Sequence, residues 1–286
     1  MCLLSSNTRA VRSSYSIWKK TTPLRKGIEP TSLFNSFKNW CTTPVEGKLF
    51  FYPHLIFSIH LETDCVATAS GSLLPSRRNF LELGCWDGMV SCCLQRRGKR
   101  TTSIDIRSQG FDERAINEGV NFLQIDAAHL AFGDEHFDFV FSYDSFEHFP
   151  APDLALREAI RVVKTGGYIY LDFGPLYMSP MGFHAYDVIT VPFCQFLFPK
   201  EQLKEYAGAR ELGTIDFSQV NGWSLEDYRK LFDSYLYRLR KIVYYELLDV
   251  SALDLIQKYP SCFKSKTRCF DNLIVPIIKV LFMKIV

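Results

Sequence analysis

The sequence predicts an α/β fold: a mostly parallel sheet with helices packed on both faces. Three observations carry this. Short apolar runs rich in β-branched and aromatic residues recur along residues 79–173. Helical patterns alternate with them, which is the signature of parallel strands joined by crossover helices. Glycines mark the junctions, first in "NFLELGCWDG" (79–88), where an apolar run stops at Gly84 and a second glycine, Gly88, precedes a helix.

The elements follow in order. "NFLELG" (79–84) is the first strand. Residues 88–97 place Met89, Val90, Cys93 and Leu94 on one helical face. "TTSIDI" (101–106), "VNFLQID" (120–126), "FDFVFSY" (137–143) and "GYIYLDF" (167–173) are the next four strands. "PDLALREAIRVVKTGG" reads as the helix before the last of them, with Leu154, Leu156, Ile160 and Val163 as its apolar face and Gly166-Gly167 as its stop. Residues 174–210 are dense in aromatics and prolines and read as a rigid apolar cover or as extra core. "NGWSLEDYRKLF" is a helix with Ser224 as N-cap and Asp227 three residues on, a capping-box-like start. Residues 29–75, rich in Phe and Pro, are expected to form helical cover leading into the core.

Composition bounds the function. The chain has 286 residues, 47% hydrophobic and 22% charged, enough for a full core. Net charge is +2, but residues 1–28 hold six Lys/Arg and no acid. The remaining 27 basic and 31 acidic side chains leave a slightly acidic body, so no basic footprint for nucleic acid is expected. Residues 1–28 read as a basic flexible tail, which places the protein in the cytoplasm, or as a transit-like leader, which places it in an organelle. No apolar run approaches the ~20 residues that cross a bilayer, and "LIVPIIKVLFMKIV" at the end reads as a buried strand. Nine cysteines without a C-x-x-C pair point to reduced thiols in an intracellular protein. The six histidines lack metal-ligand spacing, and no Mg²⁺ or Zn²⁺ requirement is expected.

Ligands of such sheets bind at the edge where the strands end. The strand ends are Glu82 to Gly88, Asp105, Asp126 and Ser142 to His148. Glycine at a turn permits close approach of a ligand. A carboxylate at Asp105 can accept two hydrogen bonds from a ribose diol, and one at Asp126 can accept from an exocyclic amine such as that of adenine. Three acids around one cleft repel phosphate and favour a cationic nucleoside. A dinucleotide fingerprint needs G-x-G-x-x-G; here Trp86 and Met89 occupy the second and third glycine positions.

Together "LELGCWDG", "SIDI", "QIDAAHLAFGDEHFDFVFSYDSFEH" and "ALREAIRVVKTGG" resemble the class I S-adenosylmethionine-dependent methyltransferases. The resemblance covers about residues 79–175 and implies a Rossmann-like, seven-stranded, mostly parallel sheet whose last strand is antiparallel, plus a small cap insertion over about 174–210. Within a domain spanning 29–286, "YRLRKIVYYELL" and "NLIVPIIKVLFMK" would be the last two strands, closing a C-terminal region of helix and strand pair over 221–286. It implies S-adenosyl-L-methionine as cofactor. The turn (Gly84, Cys85, Trp86, Asp87, Gly88) would hold the methionine part, with Glu82 supporting it. Asp105 and its neighbour Ile106 would bind at the ribose, Asp126 and Ala127 at adenine, and Ser142 and Tyr143 near the transferred methyl. Trp86 departs from the family, which most often has glycine there. An indole that points outward or packs over the cofactor leaves the cleft open; one that fills it abolishes binding.

Methyl transfer is an in-line displacement, so alignment and a dry cavity matter most, with a base needed only where the acceptor loses a proton. His184 and His148 are the candidate bases, and Glu147, Tyr177 and His184 the candidate contacts to substrate. The expected acceptor is a small, partly apolar molecule, with oxygen favoured. The alternatives are a protein methyltransferase and a degenerate methyltransferase-like binding module.

Overall fold

The computed structural model describes residues 8–21, 79–185, 188–209 and 215–286, so the helical cover expected over 29–75 lies outside the described residues. Strands β1 (Asn79–Leu83), β2 (Arg100–Asp105), β3 (Asn121–Gln124), β4 (Phe137–Tyr143), β5 (Val163–Phe173), β6 (Leu239–Leu247) and β7 (Ile277–Lys284) form one sheet in the order β3-β2-β1-β4-β5-β7-β6. The first five run parallel, and β7 lies antiparallel to β5 with Tyr168 opposite Met283 and Phe173 opposite Ile278. The described residues fall into two compact units. One carries most of the sheet, with 79–173, 230–245 and 278–286; the other has 8–21, 174–185, 188–209, 215–229 and 246–277.

In the sheet unit, β1 is central and its residues from Phe80 to Leu83 are all buried. Continuous apolar burial on both faces is what a parallel strand covered by helices requires. Helix α2 (Met89–Arg96) returns the chain to β2 and buries Met89, Val90, Cys92 and Leu94. Helix α3 (Glu113–Asn117) precedes β3, with Asp112 accepting from the backbone N–H of Arg114 at its start. Helix α4 (Pro152–Val162) buries Leu156, Ala159 and Ile160. It ends at Val162 rather than at the glycine pair. Gly166 and Gly167 lie inside β5, where the pairing with β4 slips between Phe137 and Phe139. A Cβ on Gly167 would come within 2.7 Å of the Lys164 carbonyl oxygen, so this glycine serves an irregular strand, not a helix stop.

In the other unit, helix α1 (Thr8–Lys20) occupies part of the stretch expected to be a basic tail. Val11, Ser14 and Trp18 recur at helical spacing and are buried. They face α8 (Leu253–Lys258) and α9 (Pro260–Lys266). Gln257 Nε2 donates to Ser14 Oγ at 2.7 Å, and the Trp18 ring meets Phe270 edge-on at 5.7 Å. Two short helices, α5 (Cys194–Leu197) and α6 (Lys200–Ala209), follow β5 within the expected cap segment. Helix α7 (Leu225–Ser234) begins with the capping box: Asp227 N–H donates to Ser224 Oγ at 3.2 Å while Asp227 Oδ2 accepts from Ser224 N–H at 3.0 Å. Among the described residues no helix is long and apolar enough to cross a membrane. Cys85, Cys92, Cys194 and Cys262 are buried and Cys93 and Cys269 half-buried, each as a thiol outside any disulfide.

Candidate active site

Right-handed crossovers bring the C-terminal ends of the parallel strands to one edge. The turn after β1 is fastened to β2 there: Gly84 N–H and Cys85 N–H both donate to the Ile104 carbonyl, at 2.9 and 3.0 Å. Gly84, Trp86 and Gly88 all have left-handed backbone, with φ of 70°, 48° and 78°. Packing explains both glycines. A Cβ at Gly84 would lie 2.7 Å from Ser145 Cβ, and one at Gly88 would lie 2.3 Å from the Phe122 ring. Trp86 pays the left-handed penalty that glycine would avoid. Its indole is 65% exposed, so it does not plug a buried cavity. Asp87 Oδ1 accepts from the N–H of Met89, the first residue of α2, at 3.0 Å, so this carboxylate braces the turn where it enters the helix.

The two acids at the ends of β1 and β2 differ. Glu82 points into the interior, where Ser91 Oγ and Ser103 Oγ donate to its Oε2 at 2.5 and 3.1 Å. Burial pushes its pKa up to about 7 against the pull of those hydroxyls. It ties β1 to β2 and α2 beneath the turn. Asp105 lies at the rim, 8% exposed. Its Oδ2 accepts from Trp86 N–H at 3.1 Å and its Oδ1 from Arg107 N–H at 3.0 Å. The Arg107 guanidinium adds Nε to Oδ1 at 3.0 Å and Nη2 to Oδ2 at 3.1 Å. Ile106, next in sequence, is 72% exposed, with its carbonyl accepting from Gln124 Nε2.

After β3, Asp126 is exposed. Its Oδ1 accepts from Ala128 N–H at 2.8 Å, and His129 Nδ1 lies 3.5 Å from its Oδ2. Ala127 is buried. After β4, Ser142 is buried and donates to the Leu83 carbonyl at 3.0 Å, fastening β4 to β1. Tyr143 is half-buried. Ser145, for which the sequence pattern suggests no role of its own, sits 2.6 Å from the Gly84 carbonyl oxygen and 2.9 Å from that of Tyr143. A 3-10 turn (Phe146–His148) then buries Glu147 and leaves His148 partly exposed, with His148 Nε2 3.7 Å from Glu147 Oε1. Phe146 anchors the turn against Phe149 and Phe173.

Residues 81–171 match the family model described as a methyltransferase domain. These residues form a class I S-adenosylmethionine-dependent methyltransferase domain. Among curated relatives, the fatty-acid O-methyltransferase of Mycolicibacterium smegmatis is 38% identical over 120 residues, 40% of this chain and 43% of that protein. The ubiquinone biosynthesis O-methyltransferase of Alkalilimnicola ehrlichii is 26% identical over 212 residues, 70% of this chain and 79% of that protein. The chain thus spans less than half of the first relative and about four-fifths of the second. The PH0226 protein of Pyrococcus horikoshii OT3 shares the fold, with a TM-score of 0.51 at 18% identity over 86% of this chain and 98% of that one.

S-adenosylmethionine is the cofactor of this domain, and the donor set fits its nucleoside. The rim carboxylate of Asp105 is held by two backbone N–H groups and faces a two-pronged donor, the Arg107 fork. A cis-diol is also a two-pronged donor, so the methyltransferase domain offers the acceptor pair a ribose needs.

The segment that follows the methyltransferase domain carries the remaining expected residues. His184 Nε2 lies 2.7 Å from the Pro175 carbonyl oxygen. A carbonyl only accepts, so Nε2 carries a proton and donates it to Pro175. Tyr177 packs edge-on against Phe196, and burial raises its phenol above the usual range. Gln195 Nε2 donates to the Tyr177 carbonyl at 2.7 Å and holds this segment in shape.

Proposed function

We propose that this protein is an O-methyltransferase that passes the methyl group of S-adenosylmethionine to the hydroxyl or carboxyl oxygen of a small, partly apolar acceptor. The observation that carries the reading is Asp105, a rim carboxylate positioned by the backbone at the end of β2 in a methyltransferase domain. Both curated relatives are named as O-methyltransferases, one of fatty acids and one of ubiquinone biosynthesis, and these names support oxygen and an apolar acceptor.

When bound, the cofactor supplies a methyl group already activated on a sulfonium. The chain supplies alignment. Asp105 takes the ribose diol, with Ile106 beside it. Asp126 and the backbone N–H of Ala127 take the adenine edge. The Gly84–Gly88 turn takes the methionine end, and Tyr143 lines the transfer site. Glu82, Asp87 and Ser142 act one step back, since their carboxylates and hydroxyl hold α2, β2 and β1. For a hydroxyl acceptor, His148 receives the proton as the oxygen attacks. Glu147, buried beside it, stabilises the imidazolium that forms. A carboxylate acceptor needs no base, so the requirement for His148 reports on the acceptor class.

The test is calorimetry followed by turnover. The wild-type chain binds S-adenosylhomocysteine, and cell extract supplied with methyl-labelled S-adenosylmethionine yields a labelled small molecule, identified by mass spectrometry. His148→Ala keeps cofactor affinity and loses about 10²- to 10⁴-fold in kcat on a hydroxyl acceptor. Absence of nucleoside binding at millimolar concentration ends the reading.

A further inference from the structure

An ionised carboxylate offers about four acceptor positions. In Asp105 two are taken by the backbone N–H groups of Trp86 and Arg107, and two by the Arg107 fork. The backbone bonds belong to the turn and stay. The fork is a side chain, 35% exposed, reached from two residues along the same strand end. It therefore occupies the two positions that a ribose diol requires. The guanidinium carbon also lies 4.2 Å from the centre of the Trp86 ring, so its outer face rests on the indole. That contact gives Trp86 a purpose at a left-handed position where glycine is the unstrained choice.

We propose that Arg107 is a self-inhibitory plug on the ribose seat: the resting chain holds its own guanidinium on Asp105, with Trp86 as the shelf, and the cofactor binds by displacing it. This inference rests on the proposed methyltransferase reading and deepens it. The exchange is balanced in hydrogen bonds, since two N–H donors leave as two O–H donors arrive. It is unbalanced in charge, because the ion pair is given up. Apparent affinity then equals intrinsic affinity scaled by the fraction of chains with Arg107 released. A partly exposed bidentate pair reinforced by an aromatic face leaves about a tenth of chains released, a tenfold weakening.

The arrangement has an inverted salt response. Added salt screens the Arg107–Asp105 pair and frees the seat, so the wild-type chain binds more tightly as ionic strength rises. A site whose arginine is merely structural shows no such tightening.

The experiment is calorimetry on the full chain with S-adenosylhomocysteine, which is bound but not turned over and carries no net charge. Wild type and Arg107→Gln are compared from about 0.05 to 0.5 M NaCl, a range over which screening changes strongly. Arg107→Gln is expected to bind about tenfold tighter at low salt and to lose the salt response. Wild type tightens about threefold across the series. Equal or weaker binding by Arg107→Gln overturns the plug and leaves the methyltransferase reading standing. No binding by either chain overturns both. If the variant does not fold, the wild-type salt series decides alone, and affinity that is flat or falls with salt overturns the proposal.

Discussion

Glu82 and Asp105 end neighbouring parallel strands in one methyltransferase domain, and they have opposite fates. Glu82 is enclosed and satisfied by Ser91 and Ser103 on α2 and β2. Asp105 stands at the rim and is satisfied by two backbone N–H groups and one movable side chain. The difference separates an acid held by hydroxyls of the core from one held by backbone N–H groups and an arginine fork. Every partner of Glu82 is fixed by the fold, so nothing can take its place without unfolding. Half of the partners of Asp105 can leave, and what replaces them must be another pair of donors. Burial raises the pKa of Glu82 even though its two hydroxyl partners favour the charged form.

Breaking the Asp105 side of the comparison has the largest expected effect. Asp105→Ala removes both diol acceptors and leaves the Trp86 and Arg107 N–H groups without their carboxylate. Affinity for S-adenosylhomocysteine should fall by at least about 100-fold, roughly 3 kcal/mol, as two charge-assisted hydrogen bonds are lost. Calorimetry reads this directly. Asp105→Asn keeps one acceptor oxygen and should recover part of the loss; full affinity in Asp105→Ala would remove Asp105 from the site.

The enclosed side responds to pH instead. The folded pKa of Glu82 is about 7 against 4.5 for the free side chain. Between those values the folded state holds a proton that the unfolded state has lost, so the contribution to stability is full below about pH 4.5 and is lost as pH rises through 7. Glu82→Gln stays neutral throughout, keeps one oxygen for the serine hydroxyls, and should flatten that slope. At pH 8 it should be more stable than wild type by about 1–3 kcal/mol in urea unfolding, with cofactor affinity within about threefold. A large loss of affinity would move Glu82 into the ligand site.

The same contrast explains what was legible in the sequence. Strands β1 to β4 and helix α2 were readable because apolar runs and glycine punctuation are local signals. Gly166-Gly167 misled because a glycine pair marks a helix stop or an irregular strand equally well, and only pairing with β4 decides. Helix α1 was masked by charge: its basic residues suggested a tail, while Val11, Ser14 and Trp18 needed α8 and α9 as partners. Position at a strand end marked Asp105, Ser142 and Asp87 alike, but did not say where their side chains point. Pleating turns the Ser142 hydroxyl onto β1, and Asp87 finds the nearest open N–H of α2. Arg107 left one usable trace, a cation two residues after a strand-end carboxylate. Its stacking on Trp86 depends on a positive φ that sequence does not display.

Ser145 supplies the finest test of the comparison, because its role is architectural although it borders the ligand turn. Its hydroxyl has one proton and two carbonyls within reach, Gly84 at 2.6 Å and Tyr143 at 2.9 Å. The shorter contact joins the loop after β4 to the turn after β1, at the place where Gly84 leaves no room for a Cβ. Ser145→Ala keeps the Cβ that Gly84 packs against and deletes only the bond. The exposed edge lets water reach the freed carbonyls, so the cost is that of one ordinary hydrogen bond, about 1 kcal/mol in urea unfolding. Cofactor affinity should weaken by only about two- to fivefold, as the turn loses one restraint of similar size. Ser145→Gly, which also removes the Cβ, should cost more in stability, since the Gly84 contact goes and the loop backbone gains freedom. If Ser145→Ala instead abolished binding with the fold intact, the hydroxyl would be a ligand contact. The boundary between architecture and site would then run through the β4 loop rather than along the rim of β2.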